Sequence, residues 1–426
     1  MHQPRMKEGR PAHAWVTVAS AAAMLAVAMG QLVNGLSAFL EPLEREFGWA
    51  RGEIALINSA GLLGLALGGI LMGAVADRVS IRIVCLVGAS ATGMSAIAAA
   101  WADSLAEFYM IFFVAGVLGG GSLFAPLFGL VGQWFRTGAG LAIGIVSAGQ
   151  AVGQGSIPMV NTLLISRLGW RDAFAVSGIA TLVILGLLAL LVKAPETSPG
   201  ASPAGPAGEA PRPIGWHLAM PMIGIAVFLC CTVMAVPLMH LMPLIQTCGI
   251  PVTEAGGALM AMMASAIAGR VAFGRFADRI GALPAYFVAS AWQTGLVFGF
   301  TQLGDIGQFY VFALLYGFGY GGVMTCVLTT IRVLAPADRR SGATGMIMAF
   351  AWAGHGVGGF LGGFFFDLSG GYELGFLAAV LAGLVNLSIV GTLWWIFAAV
   401  RADAPKSGNP RRAVWRSWGR LGAVDG

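Results

Sequence analysis

The sequence predicts an all-α membrane protein of twelve transmembrane helices, arranged as two pseudo-symmetric six-helix bundles. Three observations lead there. The chain is 58% hydrophobic and only 10% charged, where a soluble domain carries roughly 25% charged residues. Its apolar residues fall into runs of the length, about 20 residues, that a hydrocarbon core of ~30 Å requires. A short charged motif also recurs at equivalent points of the two halves.

The runs lie at 14–39, 53–76, 82–101, 108–132, 138–165, 172–193, 216–247, 255–276, 282–302, 308–334, 342–366 and 374–399. The first is too long for the apolar part of a cleaved signal and has many equivalents after it, so it reads as a span. The stretch from Pro195 to Pro213 is rich in Pro, Gly, Ala and Ser and reads as a flexible linker. The expected organisation is a tail (1–13), a first bundle (14–194), a linker (195–215), a second bundle (216–399) and a tail (400–426). Cys85, Cys230, Cys231, Cys248 and Cys326 sit in or beside apolar runs without metal spacing. They read as small core residues, and neither metal nor cofactor is expected.

Basic residues set the orientation. With the N-terminus inside, nineteen of the 24 Lys and Arg fall on inner segments, four (Arg45, Arg51, Arg167, Arg171) on outer ones, and Arg270 within a span. Both termini and the linker are therefore expected in the cytoplasm. The compact chain and short tails point to a bacterial inner membrane. Topology accounts for the net charge of +5 without nucleic acid.

The loop after the second span begins at Gly73 and carries Asp77, Arg78 and Arg82; the loop after the eighth carries Gly274, Asp278 and Arg279. Both read G-x-x-x-D-R, half a protein apart, which points to duplication. Charged groups at helix ends can grip a neighbouring helix end in one state and release it in another. The plainer alternative is a topology signal. Glycines recurring at about four-residue spacing in the second (Gly61, Gly64, Gly68, Gly69), fifth (Gly140, Gly144, Gly149, Gly153) and eleventh (Gly354, Gly358, Gly362) spans permit close helix packing. The run Gly119–Gly121 marks a soft point in the fourth.

No carboxylate falls well inside a span, so a proton relay built on a buried acid is not expected. Arg270 lies eight residues before Asp278, near the midplane, at a cost of at least ~2.5–3.5 kcal/mol. Without an acid in the spans, its counter-charge is expected from a substrate carboxylate, which matches the guanidinium fork. The alternative is an arginine satisfied by carbonyls, hydroxyls and water. His240 and His355 are read as mid-span and able to carry a proton. Tyr316 and Tyr320, four apart, share a face that can line an anion site. Gln31, Asn34 and Gln150 are further candidates, with interhelical bonding as the competing role.

The repeated motif resembles that of the major facilitator superfamily over roughly residues 14–399, departing from it at Ser80 and Ile81. Phe47-Gly48-Trp49-Ala50-Arg51, Gln133-Trp134-Phe135-Arg136, Leu168-Gly169-Trp170-Arg171, Met239-His240-Leu241 and Gly269-Arg270 together resemble the monocarboxylate transporter and oxalate:formate antiporter branch. That resemblance implies that Arg270 binds the substrate carboxylate, that His240 corresponds to a span 7 histidine of bacterial lactate-type members, and that His355 lies near a second cation of the antiporters. Tyr316 and Tyr320 resemble their aromatic cage. The acid one turn before the arginine in the monocarboxylate transporters is Ala266 here, and their first-span lysine has no match, so their coupling scheme is not implied.

The expected function is proton-coupled transport of a small monocarboxylate across the bilayer by a monomer through alternating access. Exchange of organic anions, including dicarboxylates, is the alternative, and a non-transporting ligand sensor is a third. An enzyme is not expected: the spans hold no H-E-x-x-H and no paired carboxylates.

Overall fold

The computed structural model describes residues 11–49, 51–135, 138–195, 215–336 and 339–402. The expected tails and linker, and Arg136, fall almost wholly outside these. In the first bundle α1 (Pro11–Met29) runs through a π turn (Gly30–Asn34) and a 3-10 turn (Gly35–Phe39) into the short α2 (Leu40–Phe47). Then come α3 (Arg51–Ala76) and α4 (Ile81–Ala99). A single rod follows, made of α5 (Leu105–Val114), a π turn (Ala115–Gly120) and α6 (Gly121–Trp134), and α7 (Ala139–Leu168) and α8 (Trp170–Leu191) close the bundle. The second bundle holds α9 (Trp216–Thr247), α10 (Val252–Ile280), α11 (Ala282–Val297) with a 3-10 tail (Phe298–Gln302), α12 (Ile306–Leu334), α13 (Arg340–Ser369) and α14 (Glu373–Ala402). A helix stands at each of the twelve expected spans, with ends shifted by a few residues, and ten of the described helices are long and apolar enough to cross a membrane. The Gly119–Gly121 run is where the π turn gives way to α6, along α3.

Local chemistry sets several boundaries. Ser104 and Glu107 form a reciprocal capping box at the start of α5. Asp305 accepts from the N–H groups of Gly307 and Gln308 to begin α12. Gly48, at φ 69°, ends α2 in the left-handed conformation. The Phe47 and Trp49 rings then stack at 4.2 Å. Arg171 reaches Glu46 at 3.1 Å, Asp103 at 2.7 Å and the Ala100 carbonyl at 3.0 Å. The side chains in these pairs are all more than a third exposed, so each pair contributes at most about 1 kcal/mol. Their effect is to hold the ends of α2, α4 and α8 in register. Two of the branch-like stretches are thus accounted for by packing.

The bundles meet along two helix pairs, α3 with α13 and α7 with α10. A constant offset of 201 residues relates them: Gly73 to Gly274, Asp77 to Asp278, Gly144 to Gly345. In one pair a Cβ built on Gly345 would stand 1.7 Å from the Gly69 carbonyl oxygen. In the other, one built on Gly144 would stand 2.5 Å from the Arg270 carbonyl oxygen. Both contacts therefore require bare backbone. Farther along the same stripes, Gly155 and Gly356, again 201 apart, have nothing within 4 Å. The bundles are joined at one face and parted toward the other. The joined face carries Asp77, Asp278 and Arg332 and is called the basic face below.

Gly345→Leu is expected to pry the basic face apart. Hydrogen exchange at the first turns of α7 and α13 should quicken while the chain stays folded. Gly356→Leu, placed in open space, should leave that exchange unchanged or slower.

Candidate functional site

The basic face is closed by groups that satisfy helix ends. The Asp77 carboxylate accepts from the N–H groups of Ser341 (3.1 Å) and Gly342 (2.9 Å), at the start of α13. The Asp278 carboxylate accepts from Gly140 and Leu141, both at 2.8 Å, at the start of α7. Each places a negative charge on the positive end of a helix from the other bundle. Arg332, at the end of α12, donates to the Gly132 carbonyl at 2.9 Å and to that of Phe135, at the negative end of α6. The sequence reading found the two aspartates but gave Arg332 no role. The arginines of the motif behave differently: Arg78, Arg82, Arg275 and Arg279 make no hydrogen bond or ion pair to a described residue.

The two helix pairs differ where Gly69 on α3 corresponds to Arg270 on α10. Arg270 lies ten residues before the end of α10, about 15 Å in from the basic face at ~1.5 Å per residue. It is 6% exposed. Nη1 donates to the Ser147 carbonyl (2.7 Å) and hydroxyl (2.9 Å) on α7, across the bundle boundary. Nε is buried without a partner, and no carboxylate pairs with the group among the described residues. Gly269 allows this placement, since the Phe318 carbonyl oxygen of α12 would lie 2.0 Å from a Cβ there. That brings Tyr320 into electrostatic reach of Arg270. Ser147 was not singled out from the sequence; a serine among membrane-helix glycines carries no signal until its neighbour is known.

The remaining candidates separate. Gln150, three residues beyond Ser147 on the same side of α7, is buried with its Oε1 unpartnered. Tyr320 makes no hydrogen bond to a described residue, but Tyr316 is fully buried and its hydroxyl reaches the Val233 carbonyl at 3.4 Å. Pro237, four residues on, has no N–H to give that carbonyl. Tyr316 thus supplies the missing donor inside the second bundle. Gln31 is held in the first bundle, donating to Thr181 (3.4 Å) and accepting from Asn161 (3.2 Å). Asn34 is exposed in the first π turn.

His355 lies mid-way along α13 as expected, half-buried beside Trp352. A carbonyl only accepts, so its Nδ1 donates to Ala351 at 3.1 Å and Nε2 is left open. His240 is not mid-span. It lies seven residues from the far end of α9, about 10 Å in. The α9 helix covers the same residues as the expected run, 216–247, so His240 is off-centre within that run itself. His240 donates through Nε2 to the Gly359 carbonyl at 2.8 Å and packs against Tyr372. Its Nδ1 makes no hydrogen bond to a described residue.

Twelve spans in two related bundles, joined by matching helix pairs, are a family architecture, and the sequence matches it. Residues 17–338 and 222–424 match the family model described as Major Facilitator Superfamily. The chain belongs to the major facilitator superfamily. It is 26% identical over 393 residues to monocarboxylate transporter 4 of Rattus norvegicus, covering 89% of this chain and 83% of the relative. It is 24% identical over 392 residues to the uncharacterized MFS-type transporter YcxA of Bacillus subtilis, covering 86% and 91%. Among solved structures, the E. coli fucose:proton symporter FucP superposes with a TM-score of 0.69 at 15% identity, over 88% of this chain and 98% of that one. The human organic anion transporter MFSD10 gives 0.69 at 15%, over 90% and 100%. The family and fold are those of multi-pass membrane transporters rather than enzymes.

Tyr316→Phe is expected to lower stability by about 1 kcal/mol, one neutral hydrogen bond, read as a lower melting temperature with ligand affinity kept. Tyr320→Phe should do the reverse.

Proposed function

We propose that this facilitator moves a small organic monocarboxylate together with a proton by alternating access, and that Arg270 receives the carboxylate. The observation that carries this is the buried guanidinium with an unpartnered Nε and no acid beside it. Two bonds to Ser147 offset part of the desolvation and leave donors for a bidentate anion. Tyr320 and Gln150 are placed to orient the rest of a small acid. The likeness to monocarboxylate transporter 4 supports the substrate class, and the likeness to a proton symporter supports the coupling.

The excess of basic residues supports a cytoplasmic position for the joined face, and on that reading the state described is outward-facing. Two of the similar structures, FucP and a bacterial ferroportin homologue, are themselves outward-facing. Substrate enters between the parted ends of the bundles. His240, near the outer end and anchored through Nε2, accepts the proton at Nδ1. His355, one helical turn before Gly359 on α13, is the next titratable group inward. Substrate neutralises Arg270, the aspartate caps release, and the bundles rock about the site.

Arg270→Gln should abolish saturable uptake of short monocarboxylates into proteoliposomes; undiminished uptake would sink the assignment. An inward proton gradient should drive accumulation in the wild-type chain and lose that effect in His240→Gln. Uptake that ignores the gradient and needs internal anion would instead support exchange.

A further inference from the structure

A second cationic pocket lies at the basic face, away from Arg270. It is a cavity of about 400 Å³ bounded by the loop from Ala76 to Arg82, by α6 (Pro126, Leu130, Gln133), by the chain just past α8 (Val192, Lys193, Ala194) and by Ser341 of α13. Two of its lining residues are cations, Arg82 and Lys193, and none is a carboxylate. Among the described residues Arg82 has no hydrogen-bond or ion-pair partner, and its Nε is buried and unpartnered there. Asp77, the acid nearest in sequence, is turned onto the start of α13. The same cavity receives the first turn of α4, whose N-cap Ser80 makes no side-chain capping bond. Its leading N–H groups add to the positive field.

A guanidinium, an ammonium, a hydroxyl and free helix N–H groups around one cavity match an anion with several oxygens. We infer that this cavity binds a phosphate-class anion, supplied as free phosphate or as the headgroup of an anionic phospholipid. The cavity lies where helices end, the depth at which headgroups meet basic residues. Its walls also tie it to conformation. Ser341 belongs to the second bundle and leaves when the basic face opens, while the other walls belong to the first. The anion therefore binds the closed basic face and, by mass action, favours it. This gives a cytoplasmic anion or a membrane lipid control over how readily the transporter turns inward.

The test uses the purified full-length chain. In one arm inorganic phosphate is titrated at ionic strength held constant with chloride, and the melting temperature is followed. In the other the chain is placed in nanodiscs of phosphatidylcholine with or without phosphatidylglycerol. A rise with phosphate assigns the free anion; a rise only with phosphatidylglycerol assigns the lipid. Arg82→Gln should weaken the apparent affinity about tenfold or more, the loss of a charge-assisted bond. Gln133→Glu, which keeps the shape of the wall but puts a carboxylate into it, should abolish the effect. Persistence in Arg270→Gln separates this site from the transport site. The inference is overturned by no stabilisation in either arm, by an equal effect in Arg82→Gln and Gln133→Glu, or by an effect lost in Arg270→Gln. It is also overturned if the wild-type chain is silent while Glu196→Gln responds, since the cavity would then be filled by the chain's own acid.

Discussion

A buried positive charge with no acid beside it among the described residues is the constraint on which the rest of this molecule turns. The contact surface between the bundles repeats with an offset of 201 residues, and at the critical level one copy has Gly69 and the other Arg270. On the glycine side two helices meet backbone to backbone. On the arginine side a guanidinium sits in the same interface, held among the described residues by Ser147. A symmetric pair of contacts would make a hinge with nothing to sense. Where one copy has a glycine the other presents a buried guanidinium, and under the proposed function that is the charge a substrate neutralises.

Energetics and motion meet at the helix ends. Asp77 and Asp278 hold the basic face shut by capping helices of the opposite bundle, each interaction being worth roughly 0.3–1 kcal/mol, up to ~2 when partly buried. Such contacts are strong enough to define a state and weak enough to exchange on binding. The glycine contacts beside them act differently. They add little attraction, but they let the backbones come close enough for the caps to form. Beyond Arg270 the same stripes stand apart at Gly155 and Gly356, where an added Cβ would meet nothing within 4 Å.

Much of this was legible in the sequence because it is written in periodic or paired signals. Apolar runs gave the spans, and the repeated G-x-x-x-D-R gave both halves and both caps. Arg270 stood out because charge inside a span is costly. What was not legible depended on facing. Ser147, Arg332 and Ser341 acquire their roles only from the helix opposite. Tyr316 has the spacing of a binding residue, yet it serves the carbonyl left unbonded by Pro237, which lies on a different span. The bounds of α9 match the expected run, and the depth of His240 follows from counting along it: seven residues from the end, not mid-way. Gln31 is drawn aside by Asn161 and Thr181, partners more than a hundred residues away.

The most direct test is isotope-edited infrared spectroscopy of a ¹³C-labelled short monocarboxylate bound to the purified chain. The account predicts a carboxylate stretch displaced from its position in water by the guanidinium of Arg270, absent in Arg270→Gln at matched ligand concentration. The same displaced band at the same affinity in Arg270→Gln would contradict it, because the carboxylate would then be held elsewhere.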